Sequence, residues 1–155
     1  MRLEYFDIID AVDVFDLENG RVETRSTVPE QSTIFEGHFP GYPVMPGVML
    51  LEMMNHTSGY LIAGMHDFGR LPFFAGAKKV KIRSFVFPGM TMQSICDLEH
   101  DGSGFTVTRN EIRVDGKLIA DAELTMMVMD YPSPELETLI HDRARRHGVA
   151  MGILP

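Results

Sequence analysis

The alternation of apolar and polar positions predicts an antiparallel hairpin at the start of the chain. Residues 12–17 and 21–28 alternate in this way and flank Glu18-Asn19-Gly20. Asn-Gly is a strong signal for the tight turn between two strands. The following residues, 29–46, are rich in proline and glycine. Because proline lacks a backbone donor and fixes its own φ, we expect an irregular loop there, without regular structure.

The best helix candidate runs from Gly47 to about Met65. Pro46 stands near its start, where a missing N–H costs nothing, and Gly64 and Gly69 lie near its end. The apolar residues of this segment are distributed almost all round the helix. A helix that is apolar on every side is a buried one, so we expect this segment to lie inside the domain.

Strand patterns dominate the chain after Pro72. The four segments 74–87, 91–99, 105–114 and 118–129 are separated by short turns, and they predict a meander of antiparallel strands. Further on, Ser133 is placed to cap a short polar helix from Pro134 to about His147.

Together these elements predict an α+β fold in which one antiparallel sheet wraps the long central helix, because this arrangement buries both apolar surfaces. We expect residues 1–130 to form this domain and residues 131–155 to form a C-terminal helical extension that packs on it or trails from it. The basic residues of the extension, Arg143, Arg145 and Arg146, are expected to form a solvated helix face.

Composition and charge exclude several classes of function. The formal net charge is −8, which argues against general nucleic-acid binding, since phosphate contacts need clustered lysine and arginine. The single cysteine, Cys96, excludes an internal disulfide and a multi-cysteine zinc site. The first ten residues lack the pattern of a signal peptide, and the apolar stretch around 44–54 is too short to span a bilayer. We therefore expect a soluble, cytoplasmic protein.

Three features between His38 and Glu52 are candidates for chemistry. His38 precedes a proline-stiffened loop, Pro46-Gly47 opens the helix with unpaired N–H groups, and Glu52 lies among apolar neighbours, where a carboxylate is expensive to bury. Each feature has an alternative explanation: a histidine satisfied in a loop, simple turn formation, and an intrahelical bond from Glu52 to His56. Together they supply a base, an oxyanion site and an acid within one short segment, and this combination favours function.

The string His38-Phe39-Pro40-Gly41-Tyr42-Pro43-Val44-Met45-Pro46-Gly47-Val48, with Glu52 after it, resembles the signature of the FabZ-type 3-hydroxyacyl-acyl carrier protein dehydratases. A weaker similarity extends over residues 74–83 and through Phe87-Pro88-Gly89, and the whole covers roughly residues 3–129. The resemblance implies the hot-dog fold, in which two protomers pair edge to edge and His38 of one faces Glu52 of the other. The implied assembly is a homodimer with shared sites, and a hexamer, a trimer of dimers, is compatible with it.

The resemblance also implies a reaction, the elimination of water from a (3R)-hydroxyacyl thioester to give a trans-2-enoyl thioester in fatty acid biosynthesis. His38 would take the proton from the carbon beside the thioester carbonyl, and Glu52, its pKa raised by apolar surroundings, would donate one to the departing hydroxyl. The Gly47 N–H would hold the carbonyl oxygen. No metal ion or organic cofactor is needed. The expected substrate contacts are Phe39, Met45, Pro46, Val48, Met49 and His56.

Two positions depart from the family pattern. His56 stands where the family usually has glutamine, and Met90 stands where it commonly has aspartate after Pro-Gly. The C-terminal extension, the segment 99–105 and the methionine content together resemble an alphaproteobacterial branch that serves long-chain acyl groups of lipid A.

The partner that the resemblance implies is acyl carrier protein. Both proteins would be acidic, so a local basic patch must steer docking, and Lys78, Lys79, Lys81 and Arg83 are the candidates. A solvated strand face explains the same residues equally well. Two other functions stay open: a hot-dog thioesterase in which Glu52 activates water, and a non-catalytic acyl-carrier binding module. An isomerase side activity ranks below dehydration, because related isomerising enzymes tend to carry aspartate at the position of Glu52.

Overall fold

Six strands and three α-helices make up the fold in a computed structural model that describes residues 1–149. A 3₁₀ turn at Leu3–Tyr5 precedes them. The elements are β1 (Ala11–Asp16), β2 (Arg21–Thr27), α1 (Thr33–Gly37), α2 (Gly47–Met65), β3 (Leu71–Ile82), β4 (Thr91–Gly102), β5 (Phe105–Val114), β6 (Lys117–Met129) and α3 (Pro134–Arg146). The predicted hairpin is confirmed as the antiparallel pair β1–β2, and the predicted central helix is confirmed as α2.

The strands form one antiparallel sheet in the order β1-β2-β4-β5-β6-β3. The predicted four-strand meander is wrong in one respect, because β3 pairs with β6 at the far edge and has no pairing with β4. The short turns Ser103-Gly104 and Asp115-Gly116, all at positive φ, join neighbouring strands. Residues 83–90 instead carry the chain across three strand spacings, about 14 Å.

Two element boundaries differ from the predictions. The short helix α1 lies within the predicted loop, because Thr33–Gly37 contains no proline and the Ser32 hydroxyl accepts a hydrogen bond from the Ile34 N–H (3.2 Å). Strand β3 begins before Pro72, which pairs in register with Val128. Proline is tolerated there because β3 is an edge strand, in which alternate N–H groups face away from the sheet.

Helix α2 packs across β2, β3, β4, β5 and β6, so that the sheet wraps it as the hot-dog fold requires. This confirms the predicted α+β class. The face of α2 that meets the sheet includes Leu50, Met53, Met54 and Leu61, each at most 1% exposed. Within the described residues, no helix is both long and apolar enough to cross a membrane.

Hydroxyl groups interrupt the apolar interface between α2 and the sheet. The sequence pattern did not predict these groups. The Thr57 hydroxyl contacts those of Thr24 (2.9 Å) and Ser94 (3.0 Å), and it donates to the Met53 carbonyl (2.8 Å). Ser58 makes a similar contact with Thr108 (2.9 Å). All of these side chains except Met53 are fully buried polar groups, so their hydrogen bonds must be satisfied inside the protein.

Helix α3 lies against the end of α2 and the N-terminal segment. Its predicted cap is confirmed, because the Ser133 hydroxyl accepts from the Leu136 N–H (3.3 Å). The His141 Nε2 lies 3.0 Å from the Phe68 carbonyl oxygen, and the His147 Nδ1 lies 2.5 Å from the Tyr60 hydroxyl. The last residues of the predicted extension, 150–155, lie outside the described residues.

Candidate active site

His38 is held in place by its own backbone. It follows α1 directly, its N–H donates to the Phe35 carbonyl (3.3 Å), and its carbonyl accepts from the Val44 N–H (3.1 Å). The peptide bond from His38 to Phe39 is cis, and the two rings stack with their centroids 4.3 Å apart. The imidazole is half-buried. The loop thus presents His38 from a fixed position that still reaches solvent.

The loop between His38 and α2 is closed on itself and tied to the core. Phe39 and Tyr42 exchange two backbone hydrogen bonds, of 3.1 and 2.8 Å. The Met45 N–H donates to the Val86 carbonyl (2.8 Å), and the Tyr42 ring meets the edge of Phe87 at 5.7 Å. These bonds connect the loop to residues 83–90, the segment that leads from β3 to β4.

Gly47 opens α2, and the first backbone hydrogen bond there runs from the Met49 N–H to the Pro46 carbonyl (2.9 Å). The Gly47 N–H therefore has no intrahelical acceptor, as at the start of any helix. A Cβ added at Gly47 would lie 2.6 Å from the Cδ1 atom of Ile82. The glycine thus permits a close approach of β3 to the helix start, which is a structural reason for it that the sequence did not reveal.

Glu52 is hydrogen-bonded at both carboxyl oxygens. The His56 Nε2 lies 2.9 Å from Oε1, and the Asn55 Nδ2 donates to Oε2 (3.0 Å). The bond to His56 is the alternative that the i, i+4 spacing suggested, and Asn55 is a partner that sequence reasoning missed. Its position, three residues after Glu52 on one helix face, was the signal that could have identified it.

The expected rise in the pKa of Glu52 is wrong for this single chain. Desolvation does raise the pKa of this half-buried carboxyl group, and it is the largest single influence. The hydrogen bond and charge of His56, the hydrogen bond of Asn55 and the charge of Arg143 outweigh it together, so the pKa lies below its ordinary value. Hydrogen bonds to the charged form and a nearby cation both favour ionisation.

The predicted site residues fall into two groups. Phe39 and Val48 are 51% and 74% exposed, and Pro46 is half-buried, so these three border solvent beside Gly47. Met45 and Met49 are only 4% and 5% exposed and belong to the hydrophobic core. In the described part of the chain, no hydrogen bond joins His38 to Glu52.

A cavity of about 180 Å³ opens beside Glu52 between α2, the start of β3 and α3. Its lining includes His56, which was among the predicted substrate contacts, and Arg143, which was not. The expectation that Arg143 belongs to a solvated helix face is wrong, because α3 packs against α2 and turns this side chain into the cavity. The full lining is Asn55, His56, Gly59, Tyr60, Ala63, Phe68, Leu71, Pro72, Met126, Ile140 and Arg143.

The four basic residues considered for docking lie on or just after the edge strand β3, and all are exposed. Two of them have acidic partners on β6. The Lys79 Nζ lies 2.9 Å from Glu123, and Arg83 forms an ion pair with Asp121. Lys78 and Lys81 alternate with these two along the chain, so part of the positive charge in this patch is neutralised locally.

Comparison with known proteins identifies the family. The family model of the FabA-like domain matches residues 2–123. The 3-hydroxyacyl-acyl carrier protein dehydratase FabZ of Enterococcus faecalis is 32% identical over 79% of this chain and 87% of its own length. The enzyme of the same name from Latilactobacillus sakei is 38% identical over 67% of this chain and 75% of its own length.

Solved structures support the fold. The dehydratase heterocomplex ApeI:P of Xenorhabdus doucetiae superposes with a TM-score of 0.64 at 19% identity and covers 86% of this chain and 88% of its own. A thioesterase of Staphylococcus aureus superposes with a TM-score of 0.63 at 14% identity and covers 82% and 97%. At such identities the superpositions show a shared fold alone. The family model, by contrast, covers the loop that carries His38 and the helix that carries Glu52, and by this match and the FabZ relatives the chain belongs to the FabA-like family of hot-dog dehydratases.

Proposed function

We propose that this protein is a hydro-lyase that dehydrates 3-hydroxyacyl-acyl carrier protein to the enoyl thioester in fatty acid biosynthesis. The observation that carries this proposal is the similarity to the FabZ dehydratases together with the family match over residues 2–123, which include His38, Gly47 and Glu52. The local structure agrees with it, because His38 sits on a fixed loop and Gly47 and Glu52 lie on successive turns of one buried helix.

The proposed reaction assigns one step to each residue. The neutral His38 imidazole takes the proton from C2 of the substrate, and the electron pair of that C–H bond forms the C2=C3 double bond. The C3–O bond breaks, and the hydroxyl leaves as water with a proton from Glu52. Negative charge that develops on the thioester oxygen is held by the Gly47 N–H at the positive end of α2. No redox step occurs.

Glu52 must be protonated to act as the acid, whereas its pKa is lowered in the single chain. A second protomer that covers the carboxyl group would remove water from it, and desolvation raises a carboxyl pKa. The acid role of Glu52 therefore depends on the assembly. The same assembly would bring His38 of one protomer to Glu52 of its partner.

The exposed edge of the sheet supports such an assembly. Strand β3 leaves one side unpaired and exposes Phe73 (53%), Phe74 (38%), Val80 (43%) and Ile82 (50%). A long, apolar, unpaired edge is a template for pairing with another strand. We propose a dimer in which the two β3 strands meet, and this places Gly47, which lies close to Ile82 at the end of β3, near the interface.

Acyl carrier protein is the proposed carrier of the substrate. Lys78 and Lys81 are the basic residues of the β3 patch without an acidic partner among the described ion pairs, so they are the side chains best suited to contact an acidic protein. Lys79 and Arg83 would contribute less, because Glu123 and Asp121 already neutralise them.

The test is turnover of 3-hydroxyacyl-carrier protein substrates, followed by the appearance of the conjugated enoyl thioester. We expect turnover by the native protein and a loss of about two to four orders of magnitude in His38→Ala and in Glu52→Gln, since each removes an acid–base group. Unchanged folding of both variants, checked by thermal unfolding, is the control. Release of free acid in place of enoyl thioester would indicate a thioesterase, and neither product would indicate a binding module.

A further inference from the structure

The cavity between α2 and α3 lies next to Glu52, the proposed catalytic acid. Both hydrogen-bond partners of Glu52, Asn55 and His56, are part of its lining. From Asn55 the lining continues along α2 to Ala63, a distance of about 12 Å at 1.5 Å per residue. An acyl chain whose reacting carbons lie at Glu52 can therefore extend into this cavity.

Most of the cavity wall suits an alkyl chain. Much of the lining is formed by apolar residues of four different elements or links: Phe68, Leu71, Pro72, Met126 and Ile140. Ligand cavities combine such apolar walls with a small number of polar groups that determine specificity. The polar group that distinguishes this cavity is the guanidinium of Arg143.

Arg143 differs from its neighbours on α3. Arg145 pairs with Asp142 at 3.1 Å, and Arg146 lies 3.9 Å from a carboxyl oxygen of Asp7. Within residues 1–149 Arg143 forms no such ion pair. Both oxygens of Glu52, the proposed catalytic acid, are already bonded to His56 and Asn55. The half-buried guanidinium therefore acts on the Glu52 carboxylate only through its charge, and no carboxylate contacts it directly within these residues.

We propose that Arg143 makes this cavity selective for 3-hydroxyacyl chains whose far end carries a carboxylate. A carboxylate can accept two hydrogen bonds from one guanidinium, and such a charged pair is stronger and more directional than neutral hydrogen bonds. A methyl end would leave the guanidinium without a carboxylate in direct contact. The inference rests on the proposed dehydratase function and adds the substrate class. It concerns α3, which lies outside the residues that the FabA-like family model matches.

The experiment compares two series of 3-hydroxyacyl-carrier protein substrates of matched lengths, one ending in a methyl group and one in a carboxylate. We expect the ratio of kcat/KM, carboxylate over methyl, to peak at one chain length, because Arg143 is fixed on α3. At that length the ratio should exceed about tenfold, the size of a charge-assisted hydrogen bond. Arg143→Gln should remove the preference, and Arg143→Lys should retain part of it.

Arg146→Gln is the matched control, because it removes one positive charge from the same helix outside the cavity, and it should leave the ratio unchanged. Thermal unfolding of each variant checks that α3 stays docked. If Arg143→Gln lowers kcat/KM by the same factor for both substrate series, the inference is overturned, since Arg143 would then act only through Glu52. A ratio of one at every length overturns it too. The two proposals fail differently: absence of turnover in both series at every length contradicts the dehydratase function itself, whereas turnover without a carboxylate preference contradicts this inference alone.

Discussion

Glu52 and His56 form a pair, and the effect of His56 on the pKa of Glu52 can be measured directly. We expect His56→Ala to raise the pKa of Glu52, because the variant removes a hydrogen bond and a nearby positive charge that both favour the carboxylate. His56→Gln should raise it less, since an amide can keep the hydrogen bond without the charge. The measurement is an NMR titration of ¹³C-labelled glutamate carboxyl groups, with Glu52→Gln to assign the signal.

The same pair has a consequence for stability against acid. Because the pair lowers the folded-state pKa of Glu52, its contribution is fully present above the unfolded pKa, about 4.3, and is lost as the pH falls through the folded value. The difference in unfolding free energy between the native protein and His56→Ala should therefore shrink as the pH is lowered through that range. A difference that does not change with pH would contradict the pairing.

Gly47 has two candidate roles that a double substitution can separate. Gly47→Ala places a Cβ 2.6 Å from the Cδ1 atom of Ile82, and Ile82→Val removes that atom. We expect the double variant to regain the stability that Gly47→Ala loses but to keep its low turnover, because the thioester must also approach the Gly47 backbone. Denaturation and kcat/KM are measured on the same samples. Recovery of native turnover would mean that Gly47 serves packing alone.

At the scale of the elements, α2 and the sheet are joined by buried hydroxyl groups as well as by apolar contacts. Thr57→Val keeps the shape of the side chain but leaves the hydroxyls of Thr24 and Ser94 without that partner. We expect a loss of about 1–3 kcal/mol in unfolding free energy, the cost of leaving buried polar groups unsatisfied. Chemical denaturation is the measurement.

The control is the combined variant Thr24→Val, Thr57→Val and Ser94→Ala. Replacing all partners by apolar groups removes the unsatisfied atoms, so the combined loss should be smaller than the sum of the single losses. Strict additivity would show that the three hydroxyls do not act as one network. Cys96, which lies 3.5 Å from the Ser58 hydroxyl in the same interface, is a packed thiol, and burial raises its pKa to about 12.

At the scale of the whole molecule, the proposed dimer predicts complementation between two inactive variants. If His38 of one protomer serves Glu52 of its partner, a mixed dimer of His38→Ala and Glu52→Gln chains holds one intact site and one doubly defective site. Equal mixing after subunit exchange should restore about a quarter of the native activity, since half of the dimers would be mixed. Sedimentation confirms that the mixture is dimeric. No recovery would place His38 and Glu52 of one site in a single chain.

Several features could be predicted from the sequence because they depend on neighbouring residues. The limits of α2 follow from Pro46 at its start and from apolar residues all round it. The β1–β2 hairpin follows from Asn19-Gly20, and the cap of α3 follows from Ser133. The resemblance of the string from His38 to Val48, with Glu52 after it, to a family signature was also sufficient to indicate the family. These signals are local, and local backbone preferences act before any tertiary contact is made.

Other features were decided only by tertiary structure. The place of β3 at the far edge of the sheet depends on its pairing with β6, many residues later, and a pattern of alternation is the same for either neighbour. The pKa of Glu52 depends on tertiary structure through its burial and through the charge of Arg143 on α3, whereas Asn55 and His56 lie on its own helix. The sequence predicts that Arg143 is a surface residue of a polar helix. It lines a cavity only because α3 packs on α2. Contacts between distant segments set these properties, and local preference carries no information about which segments meet.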